Sequence, residues 1–151
     1  IIFLVNGEKM SLVDILKSSI PKYQEKIPSS GKKIWFRPFL VKEEKTLLMA
    51  QETSDEVGVL KSIVEVINSC YENISDSSNI PIFDTEYLFL KLRSKSVQEI
   101  VTPILICPYT NEKIKLKINL DDIKVKTFKE HKQEIKLSNE IVLKMKYPTI
   151  S

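Results

Sequence analysis

Apolar positions along the chain follow two rhythms, and the change falls near residue 100. Before it they cluster at helical spacing. After it they alternate with lysines. Val57, Leu60, Val64, Ile67 and Tyr71 step by three and four, and Val59, Ile63, Val66 and Cys70 widen the stripe. A stripe that broad predicts a mostly buried helix. Ser54-Asp55-Glu56 supplies its N-cap and a first-turn acid. A helix is also predicted from Val41 to about Glu52, with Glu43 and Glu44 at its start. A third follows Pro81. Asp84 is its expected cap, and Tyr87-Leu88-Phe89-Leu90-Lys91-Leu92-Arg93 its body, apolar nearly all round. Arg93 and Lys95 suit the negative end of its dipole. Ser11-Leu12-Val13-Asp14 has the shape of a capping box and predicts a short helix to about Ile20, stopped by Pro21.

Strands punctuate this first part. Ile1-Ile2-Phe3-Leu4-Val5 reads as a strand available to another chain. Lys32-Lys33-Ile34-Trp35-Phe36-Arg37 reads as a strand after the Pro28-Ser29-Ser30-Gly31 turn, and Pro38 ends it or sets it at a sheet edge. Glu72 to Asn79 is polar and loop-like. From Pro103 the period is two. Ile104-Leu105-Ile106-Cys107 and the alternating Ile114, Leu116 and Ile118 flank Pro108-Tyr109-Thr110-Asn111, which predicts a hairpin. Lys113, Lys115 and Lys117 give the second strand one wet face over a half-buried one. Ile123 with Val125, Ile135 with Leu137, and Ile141, Leu143 and Met145 continue the alternation, with Ser138-Asn139 as a turn. The expected fold class is therefore α+β. A mainly helical part with a short strand, residues 1–100, precedes a lysine-rich antiparallel meander of four or five strands, residues 101–151, packed with it as one unit.

Composition narrows the function. The chain has 151 residues, 42% of them hydrophobic and 28% charged, as a folded domain requires. Only Gly7, Gly31 and Gly58 are glycine, which excludes a glycine-rich phosphate loop. The net charge of +3 is uneven: 13 Lys/Arg against 14 Asp/Glu in residues 1–100, and 10 Lys against 6 Asp/Glu in residues 101–151. Every base in the second part is lysine. Arginine is the better reader of phosphates and bases, so the lysines read first as a solvated face and second as a surface for an acidic partner or nucleic acid. Cys70 and Cys107 form no disulfide framework and read as buried, reduced thiols. The first residue is Ile1, so the chain is expected to be processed or part of a longer product. The opening apolar run is too short for a signal peptide, and no stretch approaches a bilayer span.

No constellation for catalysis or metal binding is legible. His131 is the only histidine and lies in a charged stretch, where a surface position outweighs a catalytic one. Cys107-Pro108-Tyr109-Thr110 has half of a zinc-knuckle spacing, with Thr110 where a second cysteine belongs. Glu43-Glu44, Asp55-Glu56 and Asp121-Asp122 are adjacent acids explained by helix starts and a turn. Catalytic, cofactor and metal residues are thus expected to be none. Trp35, Phe36, Arg37, Pro38 and Phe39 remain as a candidate partner-binding stretch. Three readings stay open for it: a protein interface rich in Trp and Arg, plain core, and a stacking platform for single-stranded nucleic acid. In the first reading, replacing Trp35 and Arg37 should weaken partner capture and leave the fold intact.

Two stretches carry a family resemblance. Residues 31–50, Gly31-Lys32-Lys33-Ile34-Trp35-Phe36-Arg37-Pro38-Phe39-Leu40 and onward to Ala50, continue through Glu52-Thr53-Ser54. Then comes Phe83-Asp84-Thr85-Glu86-Tyr87-Leu88-Phe89-Leu90-Lys91-Leu92-Arg93, followed by Ser94-Lys95-Ser96-Val97. Both resemble the baseplate-hub and hub-assembly proteins of T-even-like, contractile-tailed bacteriophages. Lys144-Met145-Lys146-Tyr147-Pro148 is a weaker match. The resemblance implies a non-enzymatic structural or assembly protein that binds other baseplate and hub proteins, in the virion tail or in the host cytoplasm during assembly. It brings no catalytic residue, cofactor or metal, implies no membrane role, and implies a further C-terminal part beyond Ser151. A nucleic-acid-binding module using the lysine-rich sheet face is the alternative.

Overall fold

The computed structural model describes residues 2–5, 8–11, 19–53, 55–74, 77–126, 128, 132–138 and 141–150. The expected helix after Ser11, and His131, lie outside these residues. The opening strand β1, Ile2–Val5, pairs antiparallel with β2, Glu8–Ser11, so its partner is its own chain.

A second hairpin begins the core. β3, Tyr23–Lys26, was not legible from its sequence; it pairs with β4, Lys33–Phe36, placing Tyr23 opposite Phe36 and Gln24 opposite Trp35. Ile34 and Phe36 point inward and Lys33 and Trp35 outward, as period-two geometry requires. The other edge of β4 is also covered. Arg37 N–H donates to the Cys70 carbonyl at 3.1 Å, and Glu72 N–H to the Trp35 carbonyl at 2.8 Å.

Three helices follow among the described residues. α1 is Val41–Glu52, α2 is Glu56–Cys70 and α3 is Ile82–Ser96. The Asp55 side chain accepts from the N–H groups of Val57 and Gly58, the expected N-cap of α2. The broad apolar stripe of α2 is buried only toward its C-terminal end, at Val66, Ile67 and Cys70; Val57 and Leu60 stay exposed. Val59, Ile63 and Val64 are only half-buried, so hydrophobicity alone overestimated burial. These residues, with Tyr71, meet Leu88 and Leu92 of α3 and Ile27, Ile34 and Phe36 of the hairpin in one apolar cluster. Phe36 stacks on Tyr71 with ring centroids 4.8 Å apart. Burial raises the Tyr71 phenol well above its ordinary range, and its hydroxyl donates to the Leu88 carbonyl at 2.9 Å.

The remainder is antiparallel, as the α+β expectation has it, and its short strands form two-stranded ladders. β5, Ile100–Val101, pairs with β8, Ile118–Asn119, and inside that pair β6, Ile104–Ile106, pairs with β7, Lys113–Lys115. Leu116 N–H to the Pro103 carbonyl, 3.0 Å, links the two ladders into one long hairpin interrupted at Pro103. A 3-10 turn, Leu120–Asp122, follows, and Ile123 and Val125 join no ladder. β9, Glu134–Lys136, pairs with β10, Val142–Lys144. The tail returns to α3: Ile82 N–H donates to the Pro148 carbonyl at 3.1 Å, and Phe83 meets Tyr147 edge to face. No helix of the described residues is long and apolar enough to cross a membrane.

The same turn is built twice. In Ile27-Pro28-Ser29-Ser30-Gly31-Lys32, Ile27 N–H donates to the Lys32 carbonyl and Gly31 N–H to the Ile27 carbonyl. In Cys107-Pro108-Tyr109-Thr110-Asn111-Glu112, Cys107 and Asn111 make the corresponding bonds. Both turns need a left-handed residue in fifth place, φ +69° at Gly31 and 56° at Asn111. Glycine and asparagine are the residues that accept it at least cost.

Candidate functional site

The partner-binding stretch divides by strand parity. Phe36 is core, between the rings of Tyr23 and Tyr71. Phe39 is half-buried against the same cluster, and its N–H donates to Ser96 Oγ at 3.0 Å. Arg37 is spent inside the molecule: its guanidinium pairs with Glu43 at 2.9 Å and donates to the carbonyls of Pro38 and Ser69. Pro38 is half-buried. Trp35 alone presents a free side chain, 44% exposed, among outward-facing Gln24, Lys26 and Lys33.

Glu43 is the third residue of α1. One carboxylate oxygen accepts from Leu40 N–H, closing the helix start, and the other takes Arg37. Burial pushes its pKa up, but the guanidinium and the Leu40 N–H outweigh burial and hold it below the ordinary carboxylate range. This bridge aligns the strand carrying Trp35 with α1.

Asp84 has a different role from the expected cap. α3 starts at Ile82 with Pro81 at the cap position, where no side chain bonds. Fully buried Asp84 instead accepts from both the N–H and the hydroxyl of Ser29 in the β3–β4 turn. Burial raises its pKa against those two hydrogen bonds.

Lys91 was hidden in the sequence, because a lysine on a helix reads as a solvated face. Here it is 6% exposed, and Nζ donates to the carbonyls of Leu120 at 3.2 Å and Asp121 at 2.7 Å. Asp121 also accepts from Ser94 at 2.6 Å and Lys95 at 2.7 Å. Those bonds depress its carboxyl pKa, Lys95 first. The Asn119 side chain accepts from Asp121 N–H, so Asp121-Asp122 is turn chemistry as expected. Together these groups clamp the base of the long hairpin onto α3.

Cys70 is buried, and desolvation lifts its thiol to about 11. Cys107 is only half-buried, against expectation, because the turn that carries it projects into solvent. The Thr110 hydroxyl, where a second zinc cysteine would stand, and the turn's N–H groups lower the Cys107 thiol pKa. Among the described residues there is no group of His, Cys, Asp and Glu placed to hold a metal, and no buried side-chain N or O lacks a partner. An apolar cleft of about 300 Å³ lies between α2 and α3, lined by Leu60, Ile63, Ile82, Phe89, Leu90 and Ile150.

The architecture is a scaffold whose polar interior is used up in holding elements together, with aromatic and aliphatic side chains left outside. Against that background, residues 20–151 match the family described as T4 bacteriophage base plate protein. The chain belongs to this family. It is thus a structural protein of the phage baseplate, a part of the virion tail that works among other baseplate proteins. No curated protein and no solved structure matches the chain. Within this base plate protein the two stretches that carry the resemblance meet in space. The Phe39–Ser96 bond joins them, and Phe83 packs on Tyr147 of the third.

Proposed function

We propose that the chain acts in the hub at the centre of the baseplate, as a non-enzymatic structural or assembly protein that binds hub proteins during contractile-tail assembly, in the virion tail or in the host cytoplasm during assembly. Trp35 carries the reading. It stands outward on a strand whose neighbours Ile34 and Phe36 are locked in the core. A rigid, exposed tryptophan is the residue type that anchors protein interfaces. Phe36, Arg37, Pro38 and Phe39 serve it by fixing the strand. Residues 1–100 and 101–151 act as one unit in this reading, supported by the clamp of Lys91, Ser94 and Lys95 on residues 120–121. The lysine-bearing ribbons favour a protein partner over nucleic acid, because Lys113 and Lys115 share their face with Ile104 and Ile106 and not with stacked aromatics.

The test is Trp35→Ala in co-expression with the other baseplate proteins of the same phage. Capture of hub proteins should fall about tenfold with an unchanged unfolding midpoint. Arg37→Ala, in contrast, should lower stability, since Glu43 loses its partner. Full capture by Trp35→Ala would remove the anchor. Absence of the protein from both purified tails and hub assembly intermediates, by mass spectrometry, would remove the hub assignment.

A further inference from the structure

The long hairpin Ile100–Asn119 is held firmly at one end and bare at the other. Its base is clamped to α3 through Leu120 and Asp121. Its tip residue Tyr109 is 94% exposed, and Ile104, Leu105, Ile106, Ile114 and Leu116 are all exposed as well. The pairing sets two faces. Leu105 and Ile114 lie opposite each other on one; Ile104 with Lys115 and Ile106 with Lys113 lie on the other. Half-buried alternation was expected here, yet among the described residues nothing covers the apolar face.

The backbone edges differ as well. Cys107 N–H bonds to the Glu112 carbonyl and Leu116 N–H to the Pro103 carbonyl. Antiparallel bonding alternates, so the N–H and C=O groups turned outward belong to Ile104 and Ile106 on β6 and to Lys113 and Lys115 on β7. Lysines guard the β7 edge as natural edge strands are guarded. The β6 edge has no guard: its outward residues are isoleucines, on a strand reading Ile-Leu-Ile.

Charge selects the occupant. Lys113, Lys115 and Lys117 line the arm, and Glu112 is the one acid on it among residues 102–118. A second copy's arm brings the same three lysines against the single acid Glu112. We propose that the β6 edge accepts an extended strand from a partner baseplate protein, a strand alternating apolar residues with Asp or Glu. Its apolar side extends the Leu105–Ile114 face; on the other its carboxylates flank Ile104 and Ile106 and face Lys113 and Lys115 one strand further on. Main-chain bonds supply the affinity and the side chains the choice of partner. The inference rests on the protein-binding reading above only for the source of that strand.

The full chain, labelled with nitrogen-15, is titrated at low salt with a short peptide alternating valine and glutamate, and separately with its valine–lysine counterpart. The glutamate peptide alone should slow hydrogen exchange at the Ile104 and Ile106 amides, and added salt should weaken it. Ile106→Pro removes an outward N–H without removing a rung, and Ile106→Lys guards the edge as β7 is guarded. Each should weaken binding about tenfold, with unchanged amide signals in α2 and α3 reporting an intact fold. Absence of protection, an equal response to both peptides, or self-association through β6 in the peptide-free protein overturns the proposal. Trp35-dependent hub capture without peptide binding sinks this inference alone; peptide binding without any hub capture supports it and sinks the hub reading.

Discussion

Replacing Lys91 with methionine isolates the clamp that seats the long hairpin. Methionine keeps most of the aliphatic stem beside Tyr87 and removes the ammonium that reaches the Leu120 and Asp121 carbonyls at 3.2 and 2.7 Å. Hydrogen bonds to a charged group are worth about 1.5–3 kcal/mol each. The Asp121 carbonyl lies in a half-buried residue and regains water, which trims the sum, so Lys91→Met should cost about 3 kcal/mol. In a domain of this size that is a fall of about 10 °C in Tm. Urea unfolding followed by far-UV circular dichroism should show a lower midpoint at unchanged slope. Lys95→Met is the control. Lys95 pairs with Glu99 and Asp121, but its side chain is 25% exposed, and such a pair contributes roughly 1 kcal/mol or less. If Lys91→Met stays within about 1 kcal/mol of the parent, or matches Lys95→Met, the clamp is not the anchor described.

Two further outcomes are expected. Gly31→Asn should be tolerated within about 1 kcal/mol, because Asn111 holds the same left-handed place in the second turn, whereas Gly31→Val should cost about 2 kcal/mol in thermal unfolding. The Glu43 carboxyl is depressed in the folded state, so its contribution is complete above the unfolded value of about 4.3 and lost as pH falls through the folded one. Glu43→Gln should therefore destabilise by about 1–2 kcal/mol at neutral pH, and urea midpoints of mutant and parent should converge as pH falls through the depressed folded-state value.

What the amino-acid order determined was local. Period placed the start of α1 at Val41 and capping chemistry that of α2 within Ser54-Asp55-Glu56, and strand parity offered Ile34 and Phe36 inward with Trp35 outward as one of the readings, the one the fold adopts. Paired apolar runs around Pro108 and Asn111 declared the long hairpin. In each case the interacting groups are a few positions apart, so the pattern is written in one window of sequence.

Tertiary structure decided the rest. Asp84 looked like a cap but bonds Ser29, 55 positions away. Lys91 carried no signal of its own within its helix, yet it is buried beneath carbonyls about 30 positions on. α2 looked mostly buried, yet full burial is confined to its C-terminal end, and the lysine-rich ribbons keep exposed apolar faces. Burial is a property of what is stacked on a residue, and that is settled by contacts distant in sequence. Hydrophobic period says which face wants a partner; only the assembled fold shows which faces received one.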